Sequence, residues 1–160
     1  MTVRRALTHP WLTIRVQLAL GAIFIVAAIP KIADPPSFAH MIYNYRIVPG
    51  PLVNVMALLM PWIEILAGLA LALGVWKRGA RALIGVLLVV FIVAILVNLA
   101  RGNAIDCGCF NVNEAGKSFE QRLSSMWWDI LRDLGILAML AQQWLAERHL
   151  SSERAITPSI

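Results

Sequence analysis

Residues 82–100 read ALIGVLLVVFIVAILVNLA, a run of nineteen residues without a single charge. At roughly 1.5 Å per residue such a helix is about as long as the hydrocarbon core of a bilayer is thick. It therefore reads as a membrane span, and the rest of the chain is arranged around it. Lys77, Arg78 and Arg81 form a positive turn just before it. Asn98, near its far end, fits a hydrogen bond that packs helices or closes the helix end.

The whole composition agrees with that reading. The chain has 160 residues, of which 59% are hydrophobic and only 14% charged, which excludes an ordinary soluble domain. The net charge of +5 comes with no basic stripe, so it reads as loop charge that orients spans and not as a nucleic-acid footprint. His9, His40 and His149 are scattered and none neighbours a cysteine, so the spacing supports no metal site. The expected class is all-α, an integral membrane antiparallel four-helix bundle. Its single domain covers residues 1–150 with spans near 12–31, 52–76, 82–100 and 126–146, followed by a disordered cytoplasmic tail at 151–160.

Before the deciding run, the first apolar stretch follows Arg4, Arg5 and Arg15 and is lengthened by snorkelling of Arg15 and Lys31 toward the head groups. It lacks a convincing small-residue cleavage site and is expected to remain as an uncleaved span. Asp34-Pro35-Pro36 then breaks the pattern, with room for one short interfacial helix between Ser37 and Tyr45, and Pro49-Gly50-Pro51 makes the next turn. Tyr43 and Tyr45 suit the head-group layer. In the second span, Glu64 is the one charge, one turn after Pro61. A carboxylate at that depth needs a partner, a proton or water, so Glu64 is either functional or a clamp on a neighbouring helix.

After the deciding run, Arg101-Gly102-Asn103 leads into Ile105-Asp106-Cys107-Gly108-Cys109-Phe110-Asn111, which holds both cysteines. A disulfide across one residue departs from relaxed geometry and is easily reduced, and Gly108 supplies the backbone freedom it needs. Cys107 and Cys109 are thus a candidate redox pair; the alternatives are two cysteines that only pack, a structural clip, or a two-sulfur copper(I) seat. Asp106 beside them should raise a thiol pKa unless Arg101 or Arg132 comes near. Ser118 and Gln121 form a capping box that starts a helix near Phe119, and the helix runs through Trp127-Trp128 to about Glu147. Arg132 falls about two turns inside the membrane, with Glu64 as its expected partner and Asp129 or Asp133 as alternatives. Lys and Arg are in excess at the N-terminus, in the 77–81 turn and in the tail. That places both termini in the cytoplasm and the cysteine loop outside, in an oxidising compartment if the cell is bacterial.

These residues carry a resemblance over about 16–145 to the MauE/DoxX-like family of small four-span membrane proteins, closest to its MauE branch of methylamine utilisation. The matching positions are Lys31 with Asp34-Pro35, Tyr45 and Pro49, Leu59-Met60-Pro61-Trp62-Ile63-Glu64, Gly68 and Gly74, Asp106-Cys107-Gly108-Cys109-Phe110, and Arg132-Asp133. Asn111 departs from the glycine usual after the Phe, though Asn also tolerates a left-handed backbone. The resemblance implies a multi-pass protein of the bacterial inner membrane, with the cysteine loop in the periplasm. There it would assist processing, transport or disulfide maturation of a partner such as the methylamine dehydrogenase small subunit, beside a thioredoxin-like protein. It also makes a quinone a candidate cofactor; Glu64, Arg132, Asp133, Lys31 and Tyr45 are expected as buried polar or structural positions, and the competing reading is a non-enzymatic membrane subunit with a buried Glu64–Arg132 cavity. Glycines Gly21, Gly68, Gly74 and Gly85 are expected to let the spans pack closely.

Overall fold

The computed structural model describes residues 9–103, 105 and 118–156, with side chains through Arg148. Its described residues fold into five helices, α1 Pro10–Ala33, α2 Pro35–Asn44, α3 Gly50–Ala72, α4 Lys77–Ala100 and α5 Phe119–Ile156. Three of them, α1, α3 and α4, are long and apolar enough to cross a membrane. The last helix does not join them on that measure, because Asp129, Arg132 and Asp133 interrupt its middle. It also continues to Ile156, well past the expected span end at 146 and into the stretch expected to be a disordered tail.

Local chemistry explains most of the boundaries. Pro10 opens α1, where a missing amide donor is harmless. The α1 helix stops at Ala33 because Asp34 precedes Pro35 and is excluded from helical geometry; its carboxylate instead accepts the Ser37 amide at 3.2 Å and caps α2. The interfacial helix expected from Ser37 thus begins two residues earlier, on the prolines. The second span ends at Ala72, four residues short of the expected 76, because Gly74 and Trp76 adopt left-handed φ of 73° and 50°. At the far end of α4, Gly102 donates to Leu99 O at 3.0 Å and Asn103 to Asn98 O at 3.0 Å, a Schellman closure with Gly102 at φ 71°. The capping box is present in both directions: the Ser118 amide donates to Gln121 Oε1 at 3.0 Å and the Gln121 amide to Ser118 Oγ at 3.3 Å.

Helix α1 packs on α3 and α5, α4 packs on the same two, and α2 lies across α1 and α3. The α1–α3 crossing is the tightest. A Cβ on Gly21 would sit 2.8 Å from the Gly68 carbonyl oxygen, and one on Gly68 would sit 2.9 Å from that of Gly21, so only glycine fits at either position. Gly74 and Gly85 do not play that part: Gly74 forms the turn after α3, and a Cβ on Gly85 meets nothing nearer than Leu140 Cδ1 at 4.0 Å.

Burial has the pattern of a protein solvated by lipid. Leu66, Leu73 and Trp76 are exposed while Lys31, Glu64, Asn98 and Asp133 are buried. The core forms three apolar layers. One joins Leu20, Phe24, Leu71, Ile84, Leu88 and Leu140. The second lies under α2, which turns Phe38, Met41 and Ile42 onto Val53, Ala57 and Met60. The third gathers Tyr45, Ile95, Ile105, Met126 and Ile130 at the end where residues 104–117 connect α4 to α5.

A buried charge cluster as the candidate functional site

Lys31 enters from the last turn of α1 and Glu64 from the middle of α3. The lysine Nζ donates to both carboxylate oxygens, at 2.7 Å each, and both side chains are only 2% exposed. The ammonium also lies 5.3 Å from the Phe38 ring centre and 5.5 Å from that of Phe91, within the range of cation–π attraction. A lysine at this position in a free helix would extend toward the head groups. Here Phe38, carried by α2, lies beside it, and among the described residues its hydrogen bonds go to the Glu64 carboxylate. The expected snorkelling of Lys31 is therefore corrected: the side chain turns inward.

The expected Glu64–Arg132 pair is corrected too. Arg132 bonds to its own helix, with Nη1 donating to Asp129 Oδ1 at 2.7 Å, and Nε and Nη2 to Asp133 Oδ1 at 3.1 and 3.0 Å. Positions three before and one after an arginine are within easy reach of its fork, and the partner three before is a same-face neighbour. The alternatives Asp129 and Asp133 thus prevail for Arg132, and the reading of Glu64 as a clamp on a neighbouring helix prevails for Glu64. Lys31 is among the expected buried polar positions; what sequence reasoning missed is its pairing with Glu64 as the clamp's other half. The available signal was Lys31 itself, the one charge in the last turn of an apolar span, matched against the one charge in the next span.

The two ion pairs meet around one small cavity of about 30 Å³ lined by Lys31, Glu64, Arg132 and Asp133 together with Phe24, Leu88, Phe91 and Ile136. Volume on that scale suits a water or a group of similar size. Asp133 is 2% exposed, and its Oδ2 finds no hydrogen-bond donor among the described residues. Such an oxygen is costly to leave unsatisfied, so the cavity has one acceptor ready for a small donor.

Tyr45 stands apart from this cluster. Its ring packs with Ile95, Ile105, Met126 and Ile130, and its main-chain oxygen accepts Asn98 Nδ2 at 3.0 Å. Asn98 also donates to Ala94 O at 3.0 Å, the packing bond that its place near the helix end foreshadowed. Arg101 reaches the main-chain oxygen of Arg46 at 3.5 Å. Asp106, Cys107, Gly108 and Cys109 lie outside the described residues. On either side of them, Ile105 packs in the third apolar layer and Ser118 takes part in the capping box.

Outside the spans, two carboxylates are shifted. Hydrogen bonds from the Ser37 side chain and backbone hold Asp34 below its ordinary value. Partial burial pushes Glu147 up, but Arg78 and Arg81 outweigh it and leave the carboxyl below its ordinary value. Arg78 Nε donates to Glu147 Oε1 at 2.9 Å, and Arg81 Nη2 donates to Oε2.

Comparison with known proteins accords with the architecture. Residues 9–146 match the family model described as methylamine utilisation protein MauE. The chain is 37% identical over 141 residues to the methylamine utilization protein MauE of Methylorubrum extorquens, covering 87% of this chain and 72% of that protein. It is 35% identical over 101 residues to its counterpart in Methylophilus methylotrophus, covering 62% of this chain and 53% of that protein. It is 29% identical over 134 residues to that of Paracoccus denitrificans, covering 83% and 68%. No solved structure matches the chain. The matched stretch takes in α1 to α4 whole and α5 as far as Ala146, the charge cluster and the cysteine segment included, and so this multi-pass membrane chain belongs to the MauE family.

Proposed function

We propose that this protein is a membrane component of methylamine utilisation that exchanges thiols and disulfides with an extracytoplasmic partner through Cys107 and Cys109. In this reading α1, α3, α4 and α5 form an antiparallel four-span bundle in the bacterial inner membrane, with both termini in the cytoplasm and residues 104–117 in the periplasm. The observation that carries it is a Cys-Gly-Cys segment between two helix ends that are each closed by a specific motif, the Schellman turn at Asn103 and the capping box at Ser118. A bridge across the single residue Gly108 departs from relaxed disulfide geometry and is readily exchanged.

The step is a two-electron transfer. A partner thiolate attacks one sulfur of the Cys107–Cys109 bridge, and the other sulfur leaves as a thiolate. A second partner thiol then displaces the mixed disulfide. The partner gains a disulfide, and the protein's pair gains two electrons and, on protonation, two protons. An oxidised thioredoxin-like protein or a membrane quinone takes them onward, and a client such as the methylamine dehydrogenase small subunit is the partner that leaves oxidised. Thiol labelling in intact cells with a membrane-impermeant alkylating reagent tests this. Both cysteines should react only after mild reduction; labelling without reduction, or none after it, removes the reading.

The buried cluster favours a second reading. Among the described residues Asp133 Oδ2 finds no donor, and Asp133 lines a water-sized cavity walled by two ion pairs, which favours a binding subunit for a small polar ligand, with the cysteines as a clip. Under that reading Cys107→Ser and Cys109→Ser variants keep function and Asp133→Asn loses it, whereas thiol exchange requires the reverse.

A further inference from the structure

At the end of α4 opposite the cysteine segment, α4 and α5 part to leave a groove of about 400 Å³. Its floor is apolar and small-sided, with Ala82 and Gly85 from α4 and Leu137 and Ala141 from α5. The indole of Trp144, half exposed, forms one wall. Its mouth is cationic. Arg78 and Arg81 line it beside Glu147, and the Arg148 guanidinium lies 3.4 Å from the Trp144 ring centre.

The two groove arginines are used differently. Arg81 is 10% exposed and is engaged on every side, with Nε on Lys77 O at 3.1 Å, Nη1 on Gln143 O at 3.2 Å and Nη2 on Glu147. Arg78 is 81% exposed, and its described bonds use only Nε–H, toward Glu147. Its outer donors remain available above an apolar trough.

We propose that this groove seats one anionic phospholipid, with the phosphate on Arg78 and an acyl chain along Ala82, Gly85, Leu137 and Ala141. Charge complementarity selects that occupant: a guanidinium fork pairs with a phosphate diester at the membrane surface, and hydrocarbon fills an apolar trough running inward from it. A second copy of the chain suits the groove poorly, since two copies of the same orientation would bring their cationic mouths together in one leaflet. The site is separate from both readings of function above.

The test uses the full chain in neutral detergent, with thermal unfolding followed by tryptophan fluorescence. Three probes are titrated: phosphatidylglycerol, phosphatidylcholine of the same acyl chains, and inorganic phosphate. Phosphatidylglycerol is expected to raise the midpoint saturably while the other two leave it unmoved. Arg78→Gln should weaken the apparent affinity about fivefold, the effect of one surface cation on an anionic head group. Gly85→Phe, which fills the trough, should abolish the response. Equal shifts by the two lipids, a full response to phosphate alone, or a wild-type titration by Arg78→Gln would each overturn the proposal. So would light scattering that shows Gly85→Phe converting a dimer to a monomer. Should Gly85→Phe fail to fold, Arg78→Gln decides the matter alone, because its side chain is exposed.

Discussion

Lys31 Nζ and the Glu64 carboxylate form a two-point contact at 2.7 Å between α1 and α3, with both side chains withdrawn from solvent. The same two helices touch backbone to backbone at Gly21 and Gly68. One contact is electrostatic and the other steric, and together they fix how α1 lies on α3.

Removing one member of the ion pair leaves a bare charge in a low-dielectric site, which typically destabilises by about 3–5 kcal/mol. Lys31→Met and Glu64→Gln should each lower the unfolding midpoint strongly. The double variant should recover much of the loss, because two neutral groups need no partner. Thermal unfolding of the four proteins in one detergent gives the coupling directly; strictly additive losses would contradict it.

The glycine crossing predicts a sharp contrast between two chemically similar changes. Gly68→Ala puts a Cβ 2.9 Å from a backbone oxygen that cannot move without its helix, so α1 and α3 must separate at a cost of about 1–3 kcal/mol. Gly85→Ala meets only Leu140 Cδ1 at 4.0 Å and should be neutral or slightly stabilising, since alanine is the better helix former. Comparison of the two midpoints checks the assigned roles, and equal effects would sink the distinction.

The apolar spans were legible because lipid imposes long uncharged runs, and so was the Ser118–Gln121 box, because both halves of that device lie within one turn. The start of α2 at Pro35 needed only the rule that a residue before proline leaves helical geometry. What could not be read was pairing between helices. Glu64 announced the need for a partner, but the choice between Lys31 and Arg132 depended on α2 folding Phe38 over the end of α1, a relation that no periodicity records. Arg132 had two carboxylates within its own reach and needed none from afar. The left-handed pair Gly74 and Trp76 likewise ended α3 inside an apolar run that gave no polar warning.

Acid should weaken the α4–α5 contact at Glu147. Its carboxyl is held below the ordinary value near 4.5, so its contribution to stability is complete above that pH and is lost as pH falls through the lower folded-state value. Glu147→Gln should therefore reduce stability at neutral pH and match the parent protein in strong acid. Unfolding midpoints across an acid series give the two curves, and curves that stay parallel throughout would show that the arginine contacts carry no linkage.

The helix start at Ser118 links local chemistry to the cysteine segment. The Gln121 amide donates to Ser118 Oγ and the Ser118 amide to Gln121 Oε1, and the Arg122 amide donates to Ser118 O at 3.0 Å. Ser118→Ala removes one of the two bonds and should cost about 1 kcal/mol of helix stability. Because Met126 and Ile130 lie one to three turns further on in a packed layer, the loss should stay local, opening residues 119–124 without unfolding the helix. Hydrogen exchange should show faster amides there and unchanged protection around Ile130. A Ser118→Thr variant, which keeps the hydroxyl, should restore the protection, and protection lost equally in both variants would show that the hydroxyl is not what holds this turn.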